Sequence, residues 1–445
     1  MRLSVSILHK PALNKIKLSA LSFRQGVSAA VKKEKTFMKQ WTTASGTRDQ
    51  ILITAFCVLI MILTGASDGA RGVFLPLLTD AFDLSETRST LIIMMSYVGN
   101  LLFLLIGGYF LDRMKKKTFL LVIMAMWMGA LACYVLTESY SVLLICMIFS
   151  MGASTMLSTS VNLITPLLFL TPAFFTNFFN FTQGMGISVI QKLGGQVADS
   201  GLSTENVPAD LTGWHSFNLL LLILSGVSIL LLSLIHFPDD KKDSAEKKSG
   251  GYKMVLRNPA SLFLILICGF YYVAEHGIQN VLTTYGSEYL GYSVERSASF
   301  LSLFFGGITL GRLLFAPVVQ KMGIMRSMTV FVSLSGILYI AGILLEQKGI
   351  WMLCLSGLAF SIVWPTTVLM IASFYPAKSS GVAVGSITAV ATLFDIAFYA
   401  FFGKFTERTG YAVSIKILPT AMLLFCLCFY GLYIFSKKKL QRSST

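Results

Sequence analysis

The sequence predicts an all-α, polytopic membrane protein: twelve transmembrane helices, divided six and six by a polar linker. Three observations carry this. Hydrophobic residues make up 55% of the 445 positions and charged residues 13%, against about 25% charged in a soluble domain. The apolar residues are gathered into runs long enough to cross a bilayer, for which about 20 residues suffice. The runs recur regularly from Ile51 onward and are broken once, near the middle, by a strongly charged stretch.

Residues 1–48 carry no acid before Glu34 and are rich in Lys, Arg and Ser. They read as a basic cytoplasmic tail, with a targeting segment or an over-long start ahead of Met38 as alternatives. The first bundle, 49–237, holds spans near 51–78, 89–110, 118–137, 141–165, 175–198 and 215–236. The linker, 238–258, contains Asp239, Asp240, Lys241, Lys242, Asp243, Glu246, Lys247 and Lys248 and reads as solvated. The second bundle, 259–436, holds spans near 260–283, 297–317, 328–345, 350–372, 382–403 and 415–435, and a basic tail, 437–445, follows.

A net charge of +15 invites a nucleic-acid reading, but the basic residues form short clusters between apolar runs and no nucleic-acid motif accompanies them. With the N-terminus inside, 27 of the 36 Lys and Arg residues fall in cytoplasmic segments and 5 in outer loops or their edges (Arg88, Arg296, Lys348, Lys404 and Arg408). That asymmetry places both termini in the cytoplasm of a cell-membrane protein. The seven cysteines lie within apolar runs, which gives neither a disulfide framework nor the ligand spacing of a zinc site. No Walker-type G-x-x-x-x-G-K-[ST] stretch and no G-x-S-x-G nucleophile motif is present, so no cofactor and no enzymatic activity is expected.

Six ionisable residues sit at membrane depth: Asp68, Glu275 and Asp395, with Arg71, Lys192 and Arg312. Each costs about 2.5–3.5 kcal/mol on insertion scales, which marks it as a functional candidate. Lys416, at a span end, can snorkel. Helical spacing places polar residues on shared faces. Thr64, Asp68 and Arg71 align in span one, so Asp68 and Arg71 can pair. Asn177, Asn180, Gly184, Ser188 and Gln191 form a stripe in span five, with Gln183 beside it and Lys192 at its edge. Glu275, Gln279 and Thr283 align in span seven, next to Asn280, and Thr388, Thr392, Asp395 and Tyr399 in span eleven. Ser302, Gly306, Thr309 and Arg312 do so in span eight. Stripes facing lipid would leave these groups unsatisfied, so they are expected to converge on a cavity. His276 points about 100° from Glu275 around the helix and is expected in the core or facing a loop. Trp364-Pro365 predicts a kink with an aromatic wall in span ten. Glu275, with no basic residue within one turn, is the leading site for a proton; Asp68 and Asp395 are the others.

The loop after span two reads Gly108-Tyr109-Phe110-Leu111-Asp112-Arg113-Met114-Lys115-Lys116-Lys117. It resembles the signature G-x-x-x-D-R-x-G-R-R/K of the major facilitator superfamily, with Lys115 in place of the second glycine. A weaker copy, Ala316 to Gly323, follows span eight, with Gln320 at the acidic position. Arg71 to Leu78 resembles the G-x-F-L-P-x-L opening of many bacterial members. Tyr272 to Ile278 and Leu303 to Leu314 resemble its fucose-permease-like, sugar-transporting branch.

The resemblance implies two pseudo-symmetric bundles around a central cavity bordered by spans one, five, seven, eight, ten and eleven. It implies an inner gate at Gly108, Asp112, Arg113, Lys116 and Lys117, with Arg312 at the matching end of span eight. The implied protein is a monomer in membrane lipid. It moves a small solute (a sugar, a polyol, or a sugar acid or other organic anion) by alternating access; the buried acids point to coupling to protons, with sodium as the alternative. A drug or lipid exporter, or a flippase on the same fold, is the alternative.

Overall fold

A computed structural model describes residues 42–43, 47–205, 207–235, 255 and 258–442. The N-terminal segment before Thr42 and nearly all of the expected linker lie outside the described residues. Among the described residues, twelve membrane-length helices follow one another. They are α1 (Thr47–Ala81), α2 (Glu86–Arg113), α3 (Lys116–Leu136), α4 (Tyr140–Leu168), α5 (Pro172–Ser200), α6 (Thr212–Leu234), α7 (Ala260–Glu288), α8 (Val294–Met322), α9 (Ile324–Leu344), α10 (Glu346–Phe360 and Val363–Ser373), α11 (Ala377–Thr409) and α12 (Ile417–Arg442). Among the described residues there is no strand, only isolated bridges such as Thr42 to Phe169. Eleven of the twelve are apolar enough to cross a membrane by composition alone. The remaining one, α5, carries the polar stripe that lowers its hydropathy. Residues 437–442, expected in the C-terminal tail, instead continue α12.

The halves repeat the same packing. In the first, α1 packs on α5 and α6, α4 on α2 and α3, and α3 on α6; in the second, α7 packs on α11 and α12, α10 on α8 and α9, and α9 on α12. Each pair is carried into its counterpart by adding six to the helix number. The halves meet through α5 with α8, α2 with α11, and α1 with α7, a set that maps onto itself under the same operation. Large apolar side chains such as Ile145, Leu230, Leu314 and Ile337 remain exposed on the outer surface, where lipid replaces water as the solvent.

Two local features shape the interior. In α10, Pro365 lacks an N–H and its ring crowds the carbonyl four residues earlier, so the helix breaks at Ser361 and Ile362, as Trp364-Pro365 predicts. In α1, glycine permits backbone contact: a Cβ on Gly65 would stand 2.1 Å from the carbonyl oxygen of Gln183 in α5, and one on Gly72 would stand 2.2 Å from that of Gln279 in α7.

One set of contacts between the halves lies at the end away from the linker. Asp199, at the end of α5, accepts from the backbone N–H groups of Val294 (2.8 Å) and Glu295 (3.3 Å) at the start of α8. Glu407, at the end of α11, accepts from the N–H of Thr87 (2.8 Å) at the start of α2. An acid from each half therefore caps the exposed N–H groups of a helix in the other, where the helix dipole favours negative charge.

Gly65→Val is expected to overpack the α1–α5 contact by about 1–3 kcal/mol and to lower the melting temperature of the detergent-purified protein. Gly129→Ala, where an added Cβ meets nothing within 4 Å, should not lower it. Equal melting temperatures would contradict the close approach.

Candidate functional site

The site is built on charges that the helices cannot leave unpaired. Arg71 is buried and ion-paired with Asp68 one turn earlier. Its Nη1 donates to Ser96 Oγ at 2.5 Å and its Nε to the Asp68 carbonyl at 3.3 Å. The guanidinium carbon lies 4.8 Å from the centroid of the Tyr97 ring, within cation–π range. Gln279 of α7 donates to the Asp68 carboxylate at 3.3 Å, which ties this pair to the other half.

A second pair lies across Tyr97. Asp395 of α11 is fully buried, and its Oδ2 lies 2.9 Å from His276 Nδ1 of α7. The Tyr97 ring stacks on His276 (5.3 Å) and on Tyr399 (5.4 Å). The Tyr399 hydroxyl donates to the His276 carbonyl at 2.6 Å, and the Asn280 amide donates to the Tyr399 and Tyr97 hydroxyls at 2.9 and 3.1 Å. Two ion pairs, one from each half, thus flank a single tyrosine of α2.

Between the halves is a cavity of about 300 Å³. Of the residues expected there, Asp68, Arg71, Gln183, Glu275, Gln279, Trp364 and Asp395 line it. Arg312, assigned above to the gate, lines it too. Spans two and four also contribute, through Tyr97, Asn100 and Leu104 and through Met151, Ser154, Thr155 and Ser158, which enlarges the expected set of bordering helices.

Four expected cavity residues lie elsewhere. Lys192 is 47% exposed, 3.5 Å from Glu295, and donates to Ser299 Oγ at 2.8 Å. It sits at the α5–α8 contact far from the linker, because the start of α8 supplies a partner nearer than the cavity. Asn180 bonds Asn162 of α4 and the Thr176 carbonyl, and Asn177 is exposed; both precede the part of α5 that turns toward the cavity. Asn280 is buried in the tyrosine contact just described.

Of the gate motif, the side chains of Gly108 and Asp112 lie outside the described residues. Arg113 is exposed, and Lys116 is partly so at the start of α3. Lys117 donates to the carbonyls of Ser233 (2.9 Å) and Ile235 (2.8 Å) at the end of α6. It satisfies the last carbonyls of a helix in its own half rather than reaching the other.

His276 is the main residue that sequence reasoning misplaced: it borders the cavity and holds Asp395. The signal available was electrical, since a carboxylate in the middle of span eleven needs a partner and Lys and Arg are absent nearby. Tyr97 and Ser96 were missed because nothing in span two marks which polar residues face α1.

A repeated pair of six-helix bundles enclosing a charged cavity at mid-depth defines a membrane transporter. The Major Facilitator Superfamily profile matches residues 57–393, and the chain belongs to that superfamily. Among solved structures, a D-xylose–proton symporter superposes with a TM-score of 0.69 at 14% identity, covering 86% of this chain and 96% of the other. The nucleoside transporter NupG gives 0.67 at 13% identity, covering 86% and 99%. The E. coli fucose:proton symporter FucP (N162A) gives 0.61 at 17% identity, covering 86% and 97%. At these identities the likeness is one of fold. No curated protein matches the chain by sequence.

His276→Ala strands a buried carboxylate and is expected to cost about 3–5 kcal/mol, seen as a large drop in melting temperature. His276→Gln, which keeps a donor, should recover part of it. An unshifted melting temperature in His276→Ala would rule out the pair.

Proposed function

We propose that this protein is a proton-coupled carrier that moves a small polar solute, a sugar, polyol or sugar acid, across the cell membrane by alternating access. The observation that carries the reading is a cavity at the boundary of two repeated halves, lined by ionisable groups from both, with the halves locked together at one end. A cavity bounded at one end by contacts between the halves suits a carrier, which exposes its site to one side at a time.

The cavity's size supports a small solute. About 300 Å³ is the lower end of the roughly 300–1,000 Å³ typical of ligand pockets, too little for a lipid. Its walls combine aromatic faces (Tyr97, Tyr272, Trp364) with amides (Asn100, Gln183, Gln279), which suits a hydroxylated molecule. Lys and Arg crowd the linker end, so that end faces the cytoplasm by the positive-inside rule. The capped end then faces outward, and the form described here is closed to the outside.

Glu275 is the leading coupling group. Asp68 is ion-paired with Arg71 and Asp395 is held by His276, each within its own half, while Glu275 lines the cavity with no ion pair among the described residues. Protonating it would remove a charge from the interior and lower the cost of rearranging the halves around it.

In proteoliposomes, Glu275→Gln is expected to abolish accumulation driven by a proton gradient while solute counterflow persists. Full accumulation would dismiss Glu275, and absence of counterflow in the wild type, for any sugar, polyol or sugar acid, would dismiss the carrier reading. The outward closure has its own test. Each interbundle cap is worth about 1 kcal/mol, so Asp199→Ala combined with Glu407→Ala should favour the outward-open form by roughly thirtyfold. Spin-label distances between the outer ends of α5 and α8 should lengthen; an unchanged distance distribution would mean that the caps do not hold that end shut.

A further inference from the structure

We propose that Gln191 of α5 and Thr283 of α7 line the outward route to the cavity, and that their unpaired polar groups keep the outward-closed form from becoming a trap. This rests on the carrier reading above and adds to it how the closed form is balanced against the open one.

The two residues continue the cavity wall outward, one from each half. In α5, Gln183, Gly184 and Ile187 line the cavity. Gln191 stands one turn beyond Ile187 and two turns beyond Gly184, on the same face of the helix. The Asp199 cap on α8 lies about two turns further along α5, so Gln191 sits between the cavity and the contact that closes the outer end. In α7, Glu275 and Gln279 line the cavity, and Thr283 extends their face by one more turn.

Both side chains are sealed in, at 0% exposure. Neither amide atom of Gln191 has a hydrogen-bond partner, and the Thr283 hydroxyl has none either. Nearby polar groups are satisfied. Ser188 of α5 and Ser302 of α8, one turn closer to the cavity than Gln191, donate to each other's carbonyls at 2.9 and 2.7 Å. Thr309 of α8 donates to the Phe305 carbonyl at 2.8 Å, as buried helical hydroxyls commonly do. Gln191 and Thr283 therefore stand out as uncharged polar groups that the closed packing leaves unserved.

A buried amide or hydroxyl without a partner is less stable than an apolar group of the same shape. In the outward-closed form that cost falls on Gln191 and Thr283. When the halves part at their outer ends, this face opens, and water or a passing solute hydroxyl supplies the missing bonds. One form alone bears the cost. It opposes the caps by Asp199 and Glu407, which favour closure. Opposing terms of similar size leave an equilibrium that a bound solute can shift. Amide and hydroxyl suit this role because they carry no charge: an unpaired ion at this level would prevent closure instead of tuning it.

The test uses the full-length protein purified in detergent and reads stability and conformation, neither of which needs a solute. Gln191→Met keeps the length of the side chain and removes its amide. It is expected to raise the melting temperature and to favour the closed form by about tenfold, seen as shorter spin-label distances between the outer ends of α5 and α8. In the Asp199→Ala, Glu407→Ala background, where those distances are expected to lengthen, Gln191→Met should shorten them again. Thr283→Val, of the same shape without the hydroxyl, should act in the same direction from the other half, and it carries the test if the methionine variant does not fold. A lower melting temperature in both variants, or distances that neither variant shortens in the cap-deleted background, would overturn the proposal, because a polar group that merely supports the fold is missed when it is removed. Both variants should also slow solute counterflow in proteoliposomes. Shortened distances in a protein whose wild type shows no counterflow would support the balance between the two forms while refuting the carrier reading.

Discussion

Ionised side chains held inside a bilayer are costly unless paired, and here two such pairings meet around one aromatic ring. Tyr97 receives the Arg71 guanidinium from α1 and His276 and Tyr399 from α7 and α11. Each charged neighbour brings its own carboxylate, Asp68 or Asp395. The first pair belongs to one half and the second to the other. The two carboxylates are thus partnered separately within each bundle, yet their partners Arg71 and His276 converge on the same ring. Four helices are thereby brought together at one ring, which itself lines the cavity.

Such an arrangement suits the carrier proposed above, in which the halves move against each other. A salt bridge running from half to half would have to be broken at each transit, leaving unpaired charge in a low-dielectric interior at a cost of several kcal/mol. Pairs confined within a half survive the motion. What joins the halves is individually weaker: ring stacking, the Gln279 amide on Asp68, the serine contact of Ser188 with Ser302, and the reciprocal caps by Asp199 and Glu407. Contacts of that size can be exchanged for others without a large barrier. The partially exposed pair of Lys192 with Glu295 belongs to the same class, since ion pairs in contact with water contribute about 1 kcal/mol or less.

The internal repeat is visible at three levels. The motif after span two has a weaker copy after span eight. The helix pairings of the halves correspond one to one. The caps do as well: Asp199 of α5 on α8 and Glu407 of α11 on α2 exchange places under the same shift of six helices. The departures are as informative as the matches. Glu275, Arg312 and the His276–Asp395 pair all belong to the second half, so the chemistry is concentrated in one bundle while the first supplies Asp68, Arg71 and a polar wall.

The amino-acid order by itself determined the helices, their number, the division into halves and the pairing of Asp68 with Arg71, because membrane length, hydropathy and helical spacing are local properties of the chain. It also marked Glu275, Gln279, Arg312, Trp364 and Asp395, since an ionisable or kink-forming residue within an apolar run stands out wherever it lies. Tertiary structure alone decided which of the marked residues share a chamber. Lys192 and Asn180 have the same polar character as Gln183, but half a helix of rise and the nearest neighbouring helix send Lys192 to Glu295 and Asn180 to Asn162, while Gln183 alone faces inward. His276 and Asp395 lie 119 residues apart, and no periodicity within either helix could join them; their meeting depends on how α7 packs against α11, a matter of contact between surfaces and not of sequence spacing.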